Sequence, residues 1–181
     1  LIAVEGIDGT GKSTLVQALA AALRARGRNV VASFEPTRGP WGSRVRALAS
    51  GGRESVTPEQ ELAWFTEDRR EHVRDVIRPA LERGDVVLLD RYFYSTMAYQ
   101  GARGLDPAAI ERENLAFAPL PDLLVLLELP VAQALQRITR QRGAAPDAFE
   151  GAAYLERVAA IFRDVGHPNL LPLDASRPTE A

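Results

Sequence analysis

Leu1-Ile2-Ala3-Val4-Glu5-Gly6-Ile7-Asp8-Gly9-Thr10-Gly11-Lys12-Ser13 opens the chain, and its reading decides the fold. Leu1 to Val4 is a short continuous apolar run, the pattern of a strand buried on both faces of a parallel sheet. From Lys12 to Arg26 apolar residues recur at Leu15, Ala18, Leu19, Ala22 and Leu23, with Gly27 as a stop, which predicts an amphipathic crossover helix. Between them stand Gly6, Gly11, Lys12 and Ser13 at the spacing of a phosphate-binding loop. Glycines let backbone N–H groups turn inward around phosphate oxygens, a helix N-terminus adds a favourable dipole, and Lys12 supplies a point charge. Residues Gly6, Ile7, Asp8, Gly9, Thr10, Gly11, Lys12, Ser13 and Thr14 are therefore the expected nucleotide-phosphate site, with Ser13 as a Mg²⁺ ligand.

Four more apolar runs follow: Val30 to Phe34, Val86 to Leu89, Leu123 to Leu127, and Leu170 to Leu173. Pro172 suits the last of these to a sheet edge. Helical patterns separate the runs. Thr57-Pro58-Glu59-Gln60 carries an N-cap hydroxyl, proline in the first turn and a capping-box glutamine, and begins a helical region reaching Arg83-Gly84, kinked at Pro79. Further helices are expected after Asp106-Pro107, from Pro130 to the arginines near residue 140, and from Phe149 to Val165. Alternating strands and helices predict an α/β fold, a three-layer doubly wound sheet of five parallel strands, in one domain spanning 1 to 181.

Composition narrows the chemistry. The 181 residues include no cysteine, which excludes disulfides and thiolate metal sites, and favours a cytoplasmic setting. No apolar run is long enough to span a bilayer, so no membrane partner is expected. A formal net charge of −2, with acids and bases mixed, argues against a broad nucleic-acid footprint. Both ends read as trimmed, leaving room for a further terminal helix.

Asp90 ends the third strand, where an acid can hold the hydration shell of a Mg²⁺ ion beside such a loop. The run that follows, Arg91-Tyr92-Phe93-Tyr94-Ser95-Thr96-Met97-Ala98-Tyr99-Gln100, places Ser95 and Tyr99 four apart and Gln100 beside them. If helical, it offers donors and acceptors to one side. Phe65 and Arg69 are also four apart, so a ring could stack on a base while a guanidinium donates to its edge. On pattern alone Phe65, with Leu62 and Trp64, reads as core packing rather than as a base contact.

These segments together resemble the thymidylate kinases. The resemblance rests on Leu89 to Gln100, the Glu5-Gly6-x-Asp8-Gly9 loop, Glu35-Pro36, Phe65-x-x-x-Arg69 and Leu173-Asp174-Ala175. It implies the P-loop nucleotide-kinase fold, ATP as donor, Mg²⁺ as cofactor, thymidine monophosphate as acceptor, thymidine diphosphate for dTTP synthesis as product, and a homodimer. It implies that Arg91 contacts the acceptor phosphate, that Tyr99 packs under the sugar and that Gln100 meets the thymine edge. Asp8 would accept from the 3′-hydroxyl, Phe65 and Arg69 would hold the base, and Glu35 and Ser95 complete the acceptor set.

Two departures stand out. Relatives commonly carry Arg-Glu-Pro-Gly-Gly after the second strand, whereas this chain has Phe34-Glu35-Pro36-Thr37-Arg38, so Arg38 or Arg46 is expected to replace the missing arginine. One group of the family has a loop arginine where Gly9 stands here. Catalytic charge is then expected from Lys12, Arg91 and a flexible lid over about 137 to 150, with Arg140 and Arg142 preferred to Arg137. That lid has Asp147-Ala148-Phe149-Glu150 in place of the common Asp-Arg-x-Glu. Rival readings are a kinase for another deoxynucleotide or nucleoside and, more distantly, a P-loop switch or binding protein.

Overall fold

A computed structural model describes residues 1–51, 53, 55–142 and 151–177, without the side chains of 49–51, 141 and 142. Five parallel strands form one sheet: β1 (Ile2–Glu5), β2 (Val30–Phe34), β3 (Val86–Asp90), β4 (Leu123–Glu128) and β5 (Leu170–Asp174), in the order β2-β3-β1-β4-β5. The helices among the described residues are α1 (Lys12–Ala25), α2 (Pro40–Gly51), α3 (Pro58–His72), α4 (Arg78–Glu82), α5 (Phe93–Gly101), α6 (Pro107–Leu115), α7 (Val131–Arg142) and α8 (Ala152–Arg163).

The continuous apolar strands are two-faced, because successive side chains point to opposite sides of a sheet. Ala3, Leu89, Leu124 and Leu126 enter a core shared with α5, α6 and α8, while Val4, Leu88, Val125 and Leu127 pack with Val16 and Ala20 of α1. The fold is thus the expected three-layer α/β sheet. β5 lies at the edge, where Pro172 belongs.

Two features depart from the sequence expectation. A π-helical turn, Val73–Ile77, joins α3 to α4 just before Pro79. A wider turn there accommodates the proline's missing N–H without ending the helical rod. α2 is an additional helix, hidden in sequence by the glycines and arginines from 38 to 46 and anchored by buried Val45 and Leu48.

Candidate active site

Register brings the first two motifs together. β1 pairs with β3 so that Val4 lies opposite Asp90, which puts the loop after β1 beside the strand-end acid. Gly6 adopts φ +137°, and a Cβ there would lie 2.5 Å from the Leu127 carbonyl oxygen. At Gly9, φ is +80° and a Cβ would come within 2.6 Å of the Ala134 carbonyl of α7. Packing against α7 therefore leaves no room for the arginine some relatives place there. α1 begins at Lys12 with no side-chain cap and no acid in its first turn, so its N-terminal N–H groups face the loop unopposed.

Lys12 is buried and folds back, its Nζ donating to the carbonyls of Gly6 at 3.0 Å and Ile7 at 2.8 Å. Burial, followed by the charge of Arg91, lowers its pKa to about 8. Ser13 Oγ donates to Asp90 Oδ2. Both residues line a cleft of ≈ 340 Å³ together with Gln17, Phe34, Glu35 and Arg91. Among the described residues no three His, Cys, Asp or Glu side chains converge as a metal cage. Ser13 and Asp90 do fit Mg²⁺, which usually takes one or two protein oxygens and leaves its other positions to phosphate and water.

Arg91 joins the two halves. Its φ of 71° turns the side chain back from β3. Nη2 donates to Asp8 Oδ1 at 2.6 Å, Nη1 to Ser95 Oγ at 3.0 Å, and the guanidinium lies 5.1 Å from the Tyr99 ring centroid. Tyr99 in turn donates its hydroxyl to Asp8 Oδ2 at 2.7 Å. Burial opposes the Asp8 charge, but Arg91 and then Lys12 overcome it and lower the pKa to about 2. Asp8, Arg91, Ser95 and Tyr99 are therefore one cluster, as α5 geometry requires for residues four apart.

Glu5 was not singled out for a role by sequence reasoning, yet it positions this cluster. Its carboxylate accepts from the N–H groups of Tyr92 at 2.7 Å and Ser95 at 3.1 Å, and from Ser95 Oγ at 2.5 Å. It caps α5 from β1. Burial pushes its pKa up to about 7, although Ser95, Arg91 and the two backbone donors pull the other way. The sequence signal was an acid ending an apolar strand just before Gly6.

Arg69 is buried and holds Glu35 (2.8 Å), Asn114 (2.8 Å) and Thr96 (2.9 Å). Glu35 also accepts from His72 Nδ1 at 3.0 Å, and His72 Nε2 meets Ser33 Oγ at 2.8 Å. Burial opposes the Glu35 charge, but Arg69 foremost, then His72, hold its pKa below the usual value. This network ties β2, α3, α5 and α6 together. Asp68, next to Arg69, accepts from Thr37 N at 2.7 Å and Thr37 Oγ1 at 2.6 Å, which fixes the loop after β2.

Phe65 is half-buried and belongs to neither apolar cluster, whereas Leu62 of the same helix packs against the main core. Gln100 is fully buried beside Glu61. Of the basic replacements considered after β2, Arg38 stacks 5.8 Å from the Phe34 ring centroid and Arg46 donates to the Pro36 carbonyl at 2.5 Å. Arg137 donates to the Ala175 carbonyl at 2.8 Å, and Arg140 is exposed on α7. Arg142 ends α7 with its side chain outside the described residues, as are residues 143–150 of the expected lid.

A family model described as thymidylate kinase matches residues 4–181. The chain is 48% identical over 175 residues to a thymidylate kinase of Desulfotalea psychrophila, covering 97% of this chain and 86% of that relative. It is 53% identical to one from Akkermansia muciniphila over 97% of this chain and 83% of the relative, and 52% identical to one from Xanthomonas campestris pv. campestris (strain B100) over 97% and 76%. The chain belongs to the thymidylate kinase family. Its place among these phosphotransferases agrees with the strand order and with the loop that joins β1 to α1. Among the described residues no helix is long and apolar enough to cross a membrane.

Proposed function

We propose that this thymidylate kinase family member transfers the γ-phosphoryl group of ATP to thymidine monophosphate in a single in-line step. The observation that carries the reading is the Asp8–Arg91–Tyr99 cluster, which joins the donor loop to the acceptor helix α5. An acceptor phosphate oxygen attacks the γ-phosphorus, the new P–O bond forms as the β–γ bridge breaks, and ADP leaves. Lys12 and Arg91 face the charge on the transferring group, and Arg140 and Arg142 of α7 supply further positive charge toward it. Ser13 and Asp90 would hold Mg²⁺, which when bound neutralises charge on the β- and γ-phosphates.

Toward the acceptor, Arg91 meets the phosphate, Tyr99 packs under the sugar where a 2′-hydroxyl would clash, and Asp8 accepts from the 3′-hydroxyl. Phe65 stacks on the base, Gln100 meets its edge, and Arg69 with Glu35 holds α3 and α5 at the spacing the base requires. The step invokes neither His72 nor His167. Incubation with ATP, Mg²⁺ and a panel of deoxy- and ribonucleoside monophosphates and thymidine tests this. Thymidine diphosphate is expected as the main product. ADP release that depends on no acceptor would overturn the reading in favour of a nucleotide switch.

A further inference from the structure

Three buried side-chain polar atoms lack a partner among the described residues: Thr66 Oγ1, Tyr94 OH and Gln100 Oε1. Only the last belongs to a residue assigned to the acceptor base. Its neighbour explains which half of the amide is left over. Gln100 Nε2 donates to Glu61 Oε1 at 3.0 Å, and Glu61 is fully buried near the start of α3.

A carboxylate offers acceptors and no donor, so it can face only the NH₂ side of a carboxamide. Two guanidinium groups donate to it. Arg53 donates to Glu61 from Nε at 3.2 Å and Nη2 at 2.7 Å, and Arg103 donates through Nη1. Arg103 is fixed in turn by donating to the Val56 carbonyl at 3.0 Å. The amide cannot flip without setting its carbonyl oxygen against a carboxylate, and a buried polar group that loses its partner is costly.

We propose that Glu61 is a specificity-determining positioning residue: it fixes the Gln100 carboxamide so that only the carbonyl oxygen is left for the acceptor base. An acceptor-only edge pairs with a base that has a ring N–H at position 3, as thymine and uracil do. It opposes the bare N3 of cytosine. The inference rests on the assignment of Gln100 to the base edge, and it adds a residue that does not itself touch the nucleotide. Glu61 thus decides between pyrimidines through the hydrogen-bond polarity of its neighbour.

The test compares kcat/KM for thymidine monophosphate and deoxycytidine monophosphate in wild type, Glu61→Gln, Glu61→Met, Glu61→Asp and Gln100→Ala. Both substrates are measured on the same preparation, so a reduced folded fraction cancels in the ratio. Sites built around a buried hydrogen bond discriminate strongly against mismatched partners, and freeing the amide in Glu61→Gln or Glu61→Met should shrink the ratio about tenfold or more. Glu61→Asp, which keeps an acceptor-only group, should retain it within about threefold.

An unchanged ratio in both Glu61→Gln and Glu61→Met, with the ratio lost in Gln100→Ala, overturns the role of Glu61 while leaving Gln100 at the base. A ratio and an acceptor KM both unchanged in Gln100→Ala overturn the underlying assignment as well. A Glu61→Asp ratio that falls as far as that of Glu61→Gln also counts against the inference, since a carboxylate would then not be the feature that matters.

Discussion

The loop from Gly6 to Ser13 and the network around Arg69 both arrange polar groups beside strand ends, but they use them in opposite ways. The loop leaves the first N–H groups of α1 uncapped and keeps Ser13 exposed. Around Arg69, by contrast, guanidinium, carboxylate, amide and imidazole are spent on one another inside the protein. A donor phosphate brings its own charge, so its site need only stay open to it. A base is recognised by shape and by a few hydrogen bonds, and the side chains that meet it must already be locked in place. One region is built to receive charge and the other to hold geometry.

Substitutions should separate the two plans. Arg69→Met has the largest expected effect, on stability. It leaves the Glu35 carboxylate buried with His72 and without its main cation, which costs about 3–5 kcal/mol. Urea unfolding measures it, and a loss below about 1 kcal/mol would show that the network is not a structural unit. Lys12→Met should leave stability nearly intact but lower kcat by about 10²–10³, the range seen when one preorganised charge-stabilising donor is removed. Single-turnover kinetics with saturating ATP measures this.

Phe65→Ala should weaken acceptor binding by about ten- to a hundredfold, the size of one base-stacking contact. An unchanged acceptor KM would return Phe65 to a packing role. The smallest effect is on pH dependence. Because the Lys12 pKa is lowered to about 8, its ammonium is present below that pH and lost above it. The kcat/KM for ATP, which reports the free enzyme, should therefore fall as pH rises through about 8. A profile flat to pH 10 would contradict the burial of Lys12.

The two regions also differed in how readily the sequence disclosed them. The donor loop is contiguous, and its glycines, lysine and serine each carry a local physical reason, so strand, loop and helix could be read in order. Thr57 and Gln60 behaved likewise: both capping-box bonds form, at 3.2 and 3.3 Å. Arg91, Ser95 and Tyr99 stand in one readable run, whereas Asp8 comes from the loop after β1, and only the pairing of β1 with β3 brings it into their cluster.

Glu5 and Glu61 were harder to foresee. Within Pro58-Glu59-Gln60-Glu61 the last residue looks like any solvated first-turn acid, and its burial depends on Arg53, Gln100 and Arg103 arriving from elsewhere. Arg69 carried the right spacing for a base contact, but spacing does not reveal that Glu35, Thr96 and Asn114 surround it. Long-range polar partnerships leave no periodic trace. The π-helical turn was hidden for a related reason, since the apolar pattern runs through it unbroken.

The most direct measurement of this division is a pair of titrations, thymidine monophosphate and a non-hydrolysable ATP analogue, into wild type, Lys12→Met and Phe65→Ala. Phe65→Ala should bind thymidine monophosphate about ten- to a hundredfold more weakly and the ATP analogue within about threefold of wild type, with the opposite ranking for Lys12→Met. Equal losses of both ligands in both variants would contradict the assignment of donor and acceptor to separate regions.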